Sequence, residues 1–131
     1  LEILPGLQPA QVVIPKFTLQ PLVENSIRHG ITRQDPGITI RIRAREENGL
    51  LIVEVTDTGR GGDAALLNAY LDYQDVQLQV THGFGIRNVN ERLMLRFGQR
   101  GGLRYFNYDG RQLLARLTLP SECDAASDGW P

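Results

Sequence analysis

The sequence predicts an α+β domain, because segments with the period of amphipathic helices alternate with segments that form antiparallel strand pairs. Large aliphatic side chains recur at helical spacing over residues 19–27 and again over 86–97, so each segment can turn one apolar stripe toward a core. Apolar and polar residues alternate from 38 to 55 on both sides of an Asn-Gly turn, the pattern of a hairpin with one solvated face. A second hairpin is predicted over 103–119, around an Asp-Gly turn.

Length and charge limit the class of protein. The 131 residues, 41% of them hydrophobic, suit a single domain with a core, which we expect over 1–120. Residues 121–131 are small, polar and acidic apart from Trp130, and we expect them to form a disordered C-terminal tail. The net charge of −1 argues against a protein that grips nucleic acid chiefly through its phosphates.

Cysteine content and hydropathy point to a soluble piece of protein. The single Cys123 cannot form an internal disulfide, and the sequence has no Cys/His zinc pattern, so we expect a reducing compartment. No apolar run approaches the length of about 20 residues needed to cross a bilayer, and no signal peptide opens the chain. This expectation is compatible with a domain cut from a larger membrane protein.

Prolines and glycines mark the boundaries of the first elements. The segment Gln11–Ile14 reads as a short strand that follows a Pro5-Gly6 turn. Pro21 places either the start of the next helix or a bend in it, because an internal proline loses a helical hydrogen bond. Gly30 is expected to end that helix.

A cluster of polar residues occupies one side of this first helix. Its members lie three and four positions apart, the spacing at which side chains meet on a helix. An asparagine carbonyl suits a hard cation, an arginine suits phosphate, and a planar histidine can lie beside a sugar or base. The alternative is an ordinary amphipathic helix with a solvated polar face. The cluster consists of Glu24, Asn25, Arg28 and His29.

A carboxylate followed by alternate glycines comes at the end of the first predicted hairpin. Asp57 can accept a hydrogen bond from an exocyclic amine, while Gly59 and Gly61 let the backbone pass close to a ligand ring. The alternative is a plain Asp-x-Gly turn, which is frequent in loops.

A long connection separates this carboxylate from the last helix. Asp63 is placed to N-cap a short helix, and residues 71–82 lack a clear period, which is typical of a lid or a mobile loop. Gly83 and Gly85 then precede the helical repeat over 86–97. Unpaired backbone amides and the positive end of the macrodipole make such a helix start an anion site. The alternative is a simple turn.

In this order, the three motifs closely resemble the N, G1 and G2 boxes of the GHKL ATP-binding superfamily. A strand hairpin separates the first from the second, a loop separates the second from the third, and the resemblance extends from Ile14 to Pro120. Two longer strings look like those of the LytS/YesM-type sensor histidine kinases. They are Gln20-Pro21-Leu22-Val23-Glu24-Asn25 with Ile27-x-His29-Gly30, and Gly85-Ile86-x-Asn88-Val89-x-Glu91-Arg92-Leu93.

The resemblance implies a Bergerat-type (GHKL ATPase) fold: a two-layer α/β sandwich with a mixed, mostly antiparallel sheet and helices on one face. It also implies ATP and Mg²⁺ as ligands. Asn25 would coordinate the metal ion, Glu24 would stand beside it as a metal-shell or water-orienting catalytic group, and Asp57 would accept from the adenine amino group. The other implied ATP-binding residues are Arg28 and His29, Gly59 and Gly61 beside the ring, and Gly83, Phe84, Gly85 and Ile86 around the phosphates.

Several positions depart from the family pattern. Hydrolases of the superfamily, such as the type II topoisomerases, place a glutamate four residues before the metal asparagine. Pro21 stands at that position, which favours phosphoryl transfer to a protein side chain over hydrolysis. Thr58 and Gly62 replace a usual asparagine and a common aliphatic residue, which leaves the lid packing open. Neither His29 nor His82 matches the phospho-accepting histidine, which lies on a separate upstream domain in sensor kinases.

The resemblance therefore implies the catalytic and ATP-binding domain of a two-component sensor histidine kinase. The expected partners are ATP, an upstream histidine-containing dimerisation domain of the same protein, and a response regulator. We expect a monomeric fragment of a homodimer, on the cytoplasmic side of a bacterial inner-membrane sensor. The alternative is a GHKL-type regulatory module or ATPase without histidine kinase activity.

Overall fold

A computed structural model describes the protein over residues 2–3, 14–30, 37–76, 84–110 and 112–121. The elements found in these ranges confirm the predicted α+β class. In chain order they are β1 (Glu2–Ile3), α1 (Leu19–Gly30), β2 (Ile40–Glu47), β3 (Leu50–Asp57), α2 (Ala64–Leu71), α3 (Phe84–Phe97), a 3-10 turn (Gly98–Arg100), β4 (Gly102–Tyr108) and β5 (Gln112–Pro120).

The strands form one sheet in the order β1-β2-β3-β5-β4. The short β1 runs parallel to β2, and every other neighbouring pair is antiparallel. The closing hairpin folds back so that its second strand, β5, lies beside β3, while β4 becomes the edge. The sheet is therefore mixed and mostly antiparallel, as the family resemblance implies.

Both hairpins are set by their turn residues. Asn48 and Gly49 alone join β2 to β3, with φ of 53° and 76°. Asp109 and Gly110, with φ of 45° and 83°, lie in the longer connection between Tyr108 of β4 and Gln112 of β5. Two successive positive φ values are the requirement of a type I′ turn, whose twist matches that of paired strands. Asn, Asp and Gly are the residues that tolerate this geometry best.

The first turns of α1 and α2 contain the residues expected at helix starts. Pro21 is the third residue of α1, where its missing N–H costs no helical hydrogen bond. Asp63 N-caps α2 as predicted, because its Oδ1 accepts from the Leu66 N–H at 3.1 Å. The side chain of Asn107 adds a second cap by accepting from the Ala64 N–H at 3.1 Å.

Helices and sheet form two layers around one apolar core. The inner face of the sheet, defined as the face that packs on the helices, carries the alternate apolar residues of each long strand. Its buried members, together with those of the three helices, make a single cluster. The cluster consists of Leu22, Ala44, Leu51, Val53, Val55, Ala64, Leu71, Ile86, Val89, Leu93, Leu103, Tyr105, Ala115, Leu117 and Leu119.

The outer edge of β4 is covered by two asparagines from the helices. Asn68 of α2 accepts from the Tyr105 N–H and donates to the Tyr105 carbonyl, both at 2.9 Å. Asn90 of α3, which is 3% exposed, accepts from the Leu103 N–H at 2.9 Å. Each amide thus takes the place of a strand neighbour and satisfies backbone groups that would otherwise lie unpaired at an edge.

Arg87 connects the start of α3 to the end of α2. Its Nη2 and Nε donate to the Tyr70 carbonyl at 2.6 and 3.2 Å. The guanidinium also lies over the rings of Tyr70 and Tyr73, 3.7 and 4.4 Å from their centroids. A cation at a helix C-terminus and over aromatic faces is stabilised by both contacts. Arg87 therefore holds the start of α3 against the end of α2.

Some predictions fall outside the described residues. These are the Pro5-Gly6 turn, residues 11–13 of the predicted strand, residues 77–82 of the loop over 71–82, and the tail after Ser121. Ser121 itself bonds to the first hairpin, since its N–H and its hydroxyl both donate to the Gly49 carbonyl at 3.0 Å.

In the described part of the chain, no helix combines the length and apolar character required to cross a bilayer.

Candidate functional site

A cavity opens between α1 and the sheet, at the end of the sheet where β3 finishes. It is a narrow cleft, partly open to solvent, and the space that admits the centres of water-sized spheres is about 20 Å³. The helix and three strands contribute to its wall, together with one glycine of the loop after β3. The lining residues are Leu22, Asn25, Ser26, Val55, Asp57, Gly61, Tyr105, Leu113 and Ala115.

The wall is mostly apolar, with a few polar groups that converge on it. Leu22, Val55, Leu113 and Ala115 continue the core into the cavity and exclude water from its base. The polar contributors are an amide, a hydroxyl, a carboxylate and a phenol. A concave apolar slot with a few placed polar groups is the usual form of a small-molecule site, in which the polar groups fix the orientation of the ligand.

Asp57 is the last residue of β3, and its own turn holds it in place. Its Oδ1 accepts from the Gly59 N–H at 2.8 Å, which is the geometry of an Asx turn. Thr58 is bonded to Thr39, the residue before β2. Its N–H donates to the Thr39 carbonyl at 3.1 Å, and its Oγ1 accepts from the Thr39 N–H at 2.9 Å. An ionised carboxylate has further lone pairs for an amine. Asp57 can therefore accept from a ligand without losing its turn.

The loop after Asp57 is fastened to the closing hairpin. Gln112 donates to the Gly59 carbonyl at 3.2 Å, and Asn107 donates to the Gly62 carbonyl at 2.9 Å. A Cβ at Gly62 would lie 3.0 Å from Leu113 Cδ1, so a bare α-carbon lets the loop lie against this leucine of the cavity wall. A larger residue at this position would require a small shift of the Leu113 side chain.

Asn25 meets Tyr105 inside the cavity. The Tyr105 ring is 4% exposed, and burial raises the pKa of its hydroxyl well above the usual value. A side-chain hydrogen bond with Asn25 acts against this rise in pKa, while the negative charge of Asp57 adds to it. The phenol therefore stays neutral over the physiological range, next to the two polar residues that the sequence singled out.

The other polar residues predicted on α1 lie away from this wall. Glu24 is exposed and accepts from the Gln20 amide one turn earlier at 2.9 Å. Arg28 is exposed on the following turn, and His29 is described only as part of the helical backbone. The cavity therefore brings together Asn25, Asp57 and Gly61 from the predicted set, and neither Glu24 nor Arg28 lines it.

The glycine motif before the last helix is described from its second half. Phe84 is the first residue of α3 and Gly85 lies in its first turn. A Cβ at Gly85 would come within 3.2 Å of Pro21 Cβ, so this glycine allows the starts of α1 and α3 to approach each other. The Ile86 side chain is 1% exposed in the core, which leaves only its backbone for a phosphate contact. Gly83 lies outside the described residues.

The described residues contain no group of three or more His, Cys, Asp or Glu side chains able to hold a metal ion. Magnesium is commonly bound by one or two protein oxygens together with the phosphates of a nucleotide. Asn25, half-buried in the wall, supplies one such oxygen. The donor set fits a metal that arrives with a nucleotide, and it does not fit a metal held by the protein alone.

Sequence reasoning missed Tyr105, Leu113 and Ala115 as parts of the site. All three belong to the closing hairpin, which was predicted as structure and assigned no function. One signal was present: Leu103 and Tyr105 alternate on the core side of β4, and a tyrosine in a core needs a partner for its hydroxyl.

The comparisons with known proteins agree with this fold. Residues 14–122 match the family described as histidine kinase-, DNA gyrase B- and HSP90-like ATPases. The sensor histidine kinase YesM of Bacillus subtilis is 32% identical over 108 residues, which cover 82% of this chain and 17% of that protein. The sensor protein LytS of Bacillus cereus is 33% identical over 87 residues, 66% of this chain and 15% of that protein.

Solved structures share the fold at lower sequence identity. The catalytic domain of the histidine kinase ThkA superposes with a TM-score of 0.60 at 17% identity, covering 79% of this chain and 64% of that one. The mycobacterial sensor histidine kinase MprB gives 0.58 at 16% identity, covering 79% and 68%. The chain spans about a sixth of the length of the curated relatives. From the fold, the cavity and the match over residues 14–122, the chain belongs to the histidine kinase-, DNA gyrase B- and HSP90-like ATPase (GHKL) family.

Proposed function

We propose that this chain is the ATP-binding catalytic domain of a two-component sensor histidine kinase. In this proposal it binds ATP with Mg²⁺ and donates the γ-phosphoryl group to a histidine on an upstream dimerisation domain of the same protein. One observation carries the proposal most directly. Asn25 and Asp57, which lie on different elements and 32 positions apart in the sequence, line one apolar cavity of the described structure.

The chemistry of the cavity supports an adenine nucleotide. The apolar wall suits a planar ring, and the Asp57 carboxylate suits an amino group at the ring edge, which adenine has and a keto group does not provide. Asn25 supplies a carbonyl for a magnesium ion that bridges phosphates. Arg28 and His29 for phosphate and sugar, and the amides at the start of α3 for phosphate, complete the proposed site.

The acidic groups favour transfer over hydrolysis. Asp57 is the one carboxylate in the described wall of the cavity, and it already accepts from its own turn. Pro21 stands where hydrolases of the family place their glutamate, and it packs in the first turn of α1 against Gly85. A general base within reach of an attacking water is therefore missing from this wall. The alternative, a regulatory module or an ATPase without kinase activity, keeps the same nucleotide site.

The remaining partners follow from the relatives. YesM and LytS are named as sensor proteins and are several times longer than this chain. We place the chain in a homodimeric bacterial inner-membrane sensor, on its cytoplasmic side, with a response regulator as the final phosphate acceptor. Within it, we assign residues 1–120 to the catalytic domain and 121–131 to a tail, whose first residue, Ser121, still bonds to Gly49.

Calorimetric titration with ATP-Mg²⁺ and GTP-Mg²⁺ tests the nucleotide site. We expect the parent to prefer ATP, and Asp57→Asn to weaken ATP binding by roughly 2 kcal/mol or more, about thirtyfold, because a charged acceptor is lost and an amide donor takes the place of one carboxylate oxygen. Asp63→Asn is the matched control, since Asp63 is exposed outside the cavity and asparagine also caps helices. Equal ATP affinity in the parent and Asp57→Asn would contradict the assigned pocket.

Phosphoryl transfer separates the two candidate functions. The full-length protein should form an acid-labile, alkali-stable phosphoprotein from γ-labelled ATP, as a phosphohistidine does. Release of inorganic phosphate without any labelled protein would favour the ATPase alternative while leaving the nucleotide site intact.

A further inference from the structure

Tyr105 is the least expected polar group in the cavity. It lies on β4, directly opposite Ala115 of β5, and its ring is 4% exposed. A buried hydroxyl costs free energy unless it is hydrogen-bonded, and a phenylalanine would fill the same space without that cost. The hydroxyl therefore needs an explanation in terms of what it touches.

The backbone of Tyr105 is held at two points. Asn68 bonds both its N–H and its carbonyl at 2.9 Å, so the position of this residue on the strand is fixed from α2. A two-point backbone contact leaves the ring little room to shift along β4. The hydroxyl is thereby presented to the cavity at a defined place.

The hydroxyl meets the side chain of Asn25. Both residues line the same cavity, and their side chains share a hydrogen bond there. An asparagine amide has two donors on nitrogen and one acceptor oxygen. When Nδ2 is directed at Tyr105, Oδ1 is left for another partner.

We propose that Tyr105 is a positioning residue that fixes the rotamer of the Asn25 amide, with Nδ2 on the phenol and Oδ1 turned toward the place of a nucleotide-bound divalent cation. The inference rests on the proposed nucleotide site. It assigns to Tyr105, which α2 holds in place on β4, an effect on how strongly nucleotide binding depends on the metal. Tyr105 does not touch the metal. Because the hydrogen bond already fixes the Asn25 rotamer, less side-chain entropy is lost when a cation binds.

Tyr105→Phe is the test, because it removes the hydroxyl and keeps the ring. ATP affinity is measured by calorimetry with excess Mg²⁺ and again with the metal chelated, and the ratio of the two affinities is the readout. We expect the ratio to fall by roughly three- to tenfold in Tyr105→Phe, the range of one lost hydrogen bond, with metal-free affinity nearly unchanged. Tyr108→Phe on the same strand lies outside the cavity wall and should keep the parent ratio.

The outcomes separate this inference from the proposed function. A parent that binds no ATP would overturn the nucleotide site itself. A parent that binds ATP with Mg²⁺, beside a Tyr105→Phe variant with the same ratio, would overturn only the role of Tyr105. An equal loss with and without metal would also overturn it, since that is the signature of a merely structural residue.

A second measurement needs no nucleotide. The side-chain amide protons of Asn25 in a ¹⁵N-labelled sample should change their chemical shifts in Tyr105→Phe and keep them in Tyr108→Phe. Unchanged Asn25 resonances in a folded Tyr105→Phe protein would mean that the hydrogen bond does not form in solution, and the inference would fall.

Discussion

The two faces of the sheet are built from different chemistry on the same strands. On the inner face, Val53 and Leu117 lie opposite each other and are both 0% exposed. On the outer face, the next residues of the same two strands, Glu54 and Arg116, form a cross-strand pair. One strand thus supplies an apolar side chain to the helices and a charged one to the opposite face at successive positions.

Glu54 is the centre of the outer face. Its side chain is only 13% exposed, and its Oε1 lies 3.0 Å from Arg45 Nη1 and 2.9 Å from Arg116 Nη2. Burial disfavours the charged carboxylate, but hydrogen bonds from the two arginines outweigh it and lower the pKa of Glu54. Arg116 also lies over the Phe106 ring, 4.5 Å from its centroid. The outer face is therefore stabilised by ion pairs and by the stacking of an arginine on an aromatic ring.

The comparison shows where function can arise in this fold. The inner face excludes water, and at the end of β3 it changes from leucine and valine to an amide, a carboxylate and a phenol. Polar groups in such a place interact strongly with a ligand, because little solvent competes with them. The outer face has more charge, but water and neighbouring ions screen most of it.

The inner face should be the more sensitive to truncation. Leu117→Ala is expected to destabilise the domain by about 2–5 kcal/mol, through lost burial and the cavity left behind. Urea denaturation measures the change, with Leu114→Ala, on the outer face of the same strand, as the matched control at less than about 1 kcal/mol. Similar losses in both variants would contradict the assignment of the faces.

The helix-to-edge contacts should rank next. Asn68→Ala leaves the Tyr105 N–H and carbonyl without their partner and is expected to cost about 1–3 kcal/mol. Asn88→Ala on the exposed side of α3 removes the same amide from a helix without that contact, and should leave the free energy of unfolding unchanged or slightly raised. Hydrogen exchange at the Tyr105 amide should speed up only in Asn68→Ala. Equal protection in both variants would refute the hydrogen bonds between Asn68 and the Tyr105 backbone.

The charged face should respond less. Glu54→Gln keeps the shape and removes the charge between two arginines, and we expect a loss of about 1–2 kcal/mol, between the values for exposed and for buried pairs. Glu46→Gln on β2, an exposed glutamate, is the control and should change stability by less than about 0.5 kcal/mol. A loss in Glu54→Gln as large as that in Leu117→Ala would show that the outer face carries as much of the stability as the core.

Acid should produce the smallest of these effects, through Glu54 of the outer face. Because the folded pKa of Glu54 is lowered, its contribution is complete above the unfolded pKa of about 4.3 and is lost as the pH falls through the lower folded value. Glu54→Gln should therefore flatten the loss of stability below about pH 4.3 by a fraction of a kcal/mol. Parallel pH curves for parent and variant would contradict a lowered pKa.

The sequence predicts those parts of the molecule that short-range rules determine. The two hairpins follow from alternation and from Asn-Gly and Asp-Gly turns, and the cap at Asp63 follows from local hydrogen bonding. The convergence of Asn25 and Asp57 in one cavity was implied by family resemblance, and no pattern in the residues alone gives that distance.

The remainder depends on pairings between distant segments. β1 has only two residues, too few for any period, and its parallel pairing with β2 depends on tertiary context. The place of Tyr105 and Leu113 in the cavity depends on the closing hairpin folding back beside β3, which a strand pattern cannot specify. Glu24 lies on the solvent side of α1, where it bonds to Gln20, four residues earlier on the same helix.

The two asparagines on the border of β4 have a consequence for assembly. Asn68 and Asn90 occupy the Leu103 N–H and both backbone groups of Tyr105 at this border. A strand from another molecule that joins β4 there would have to displace these two amides first.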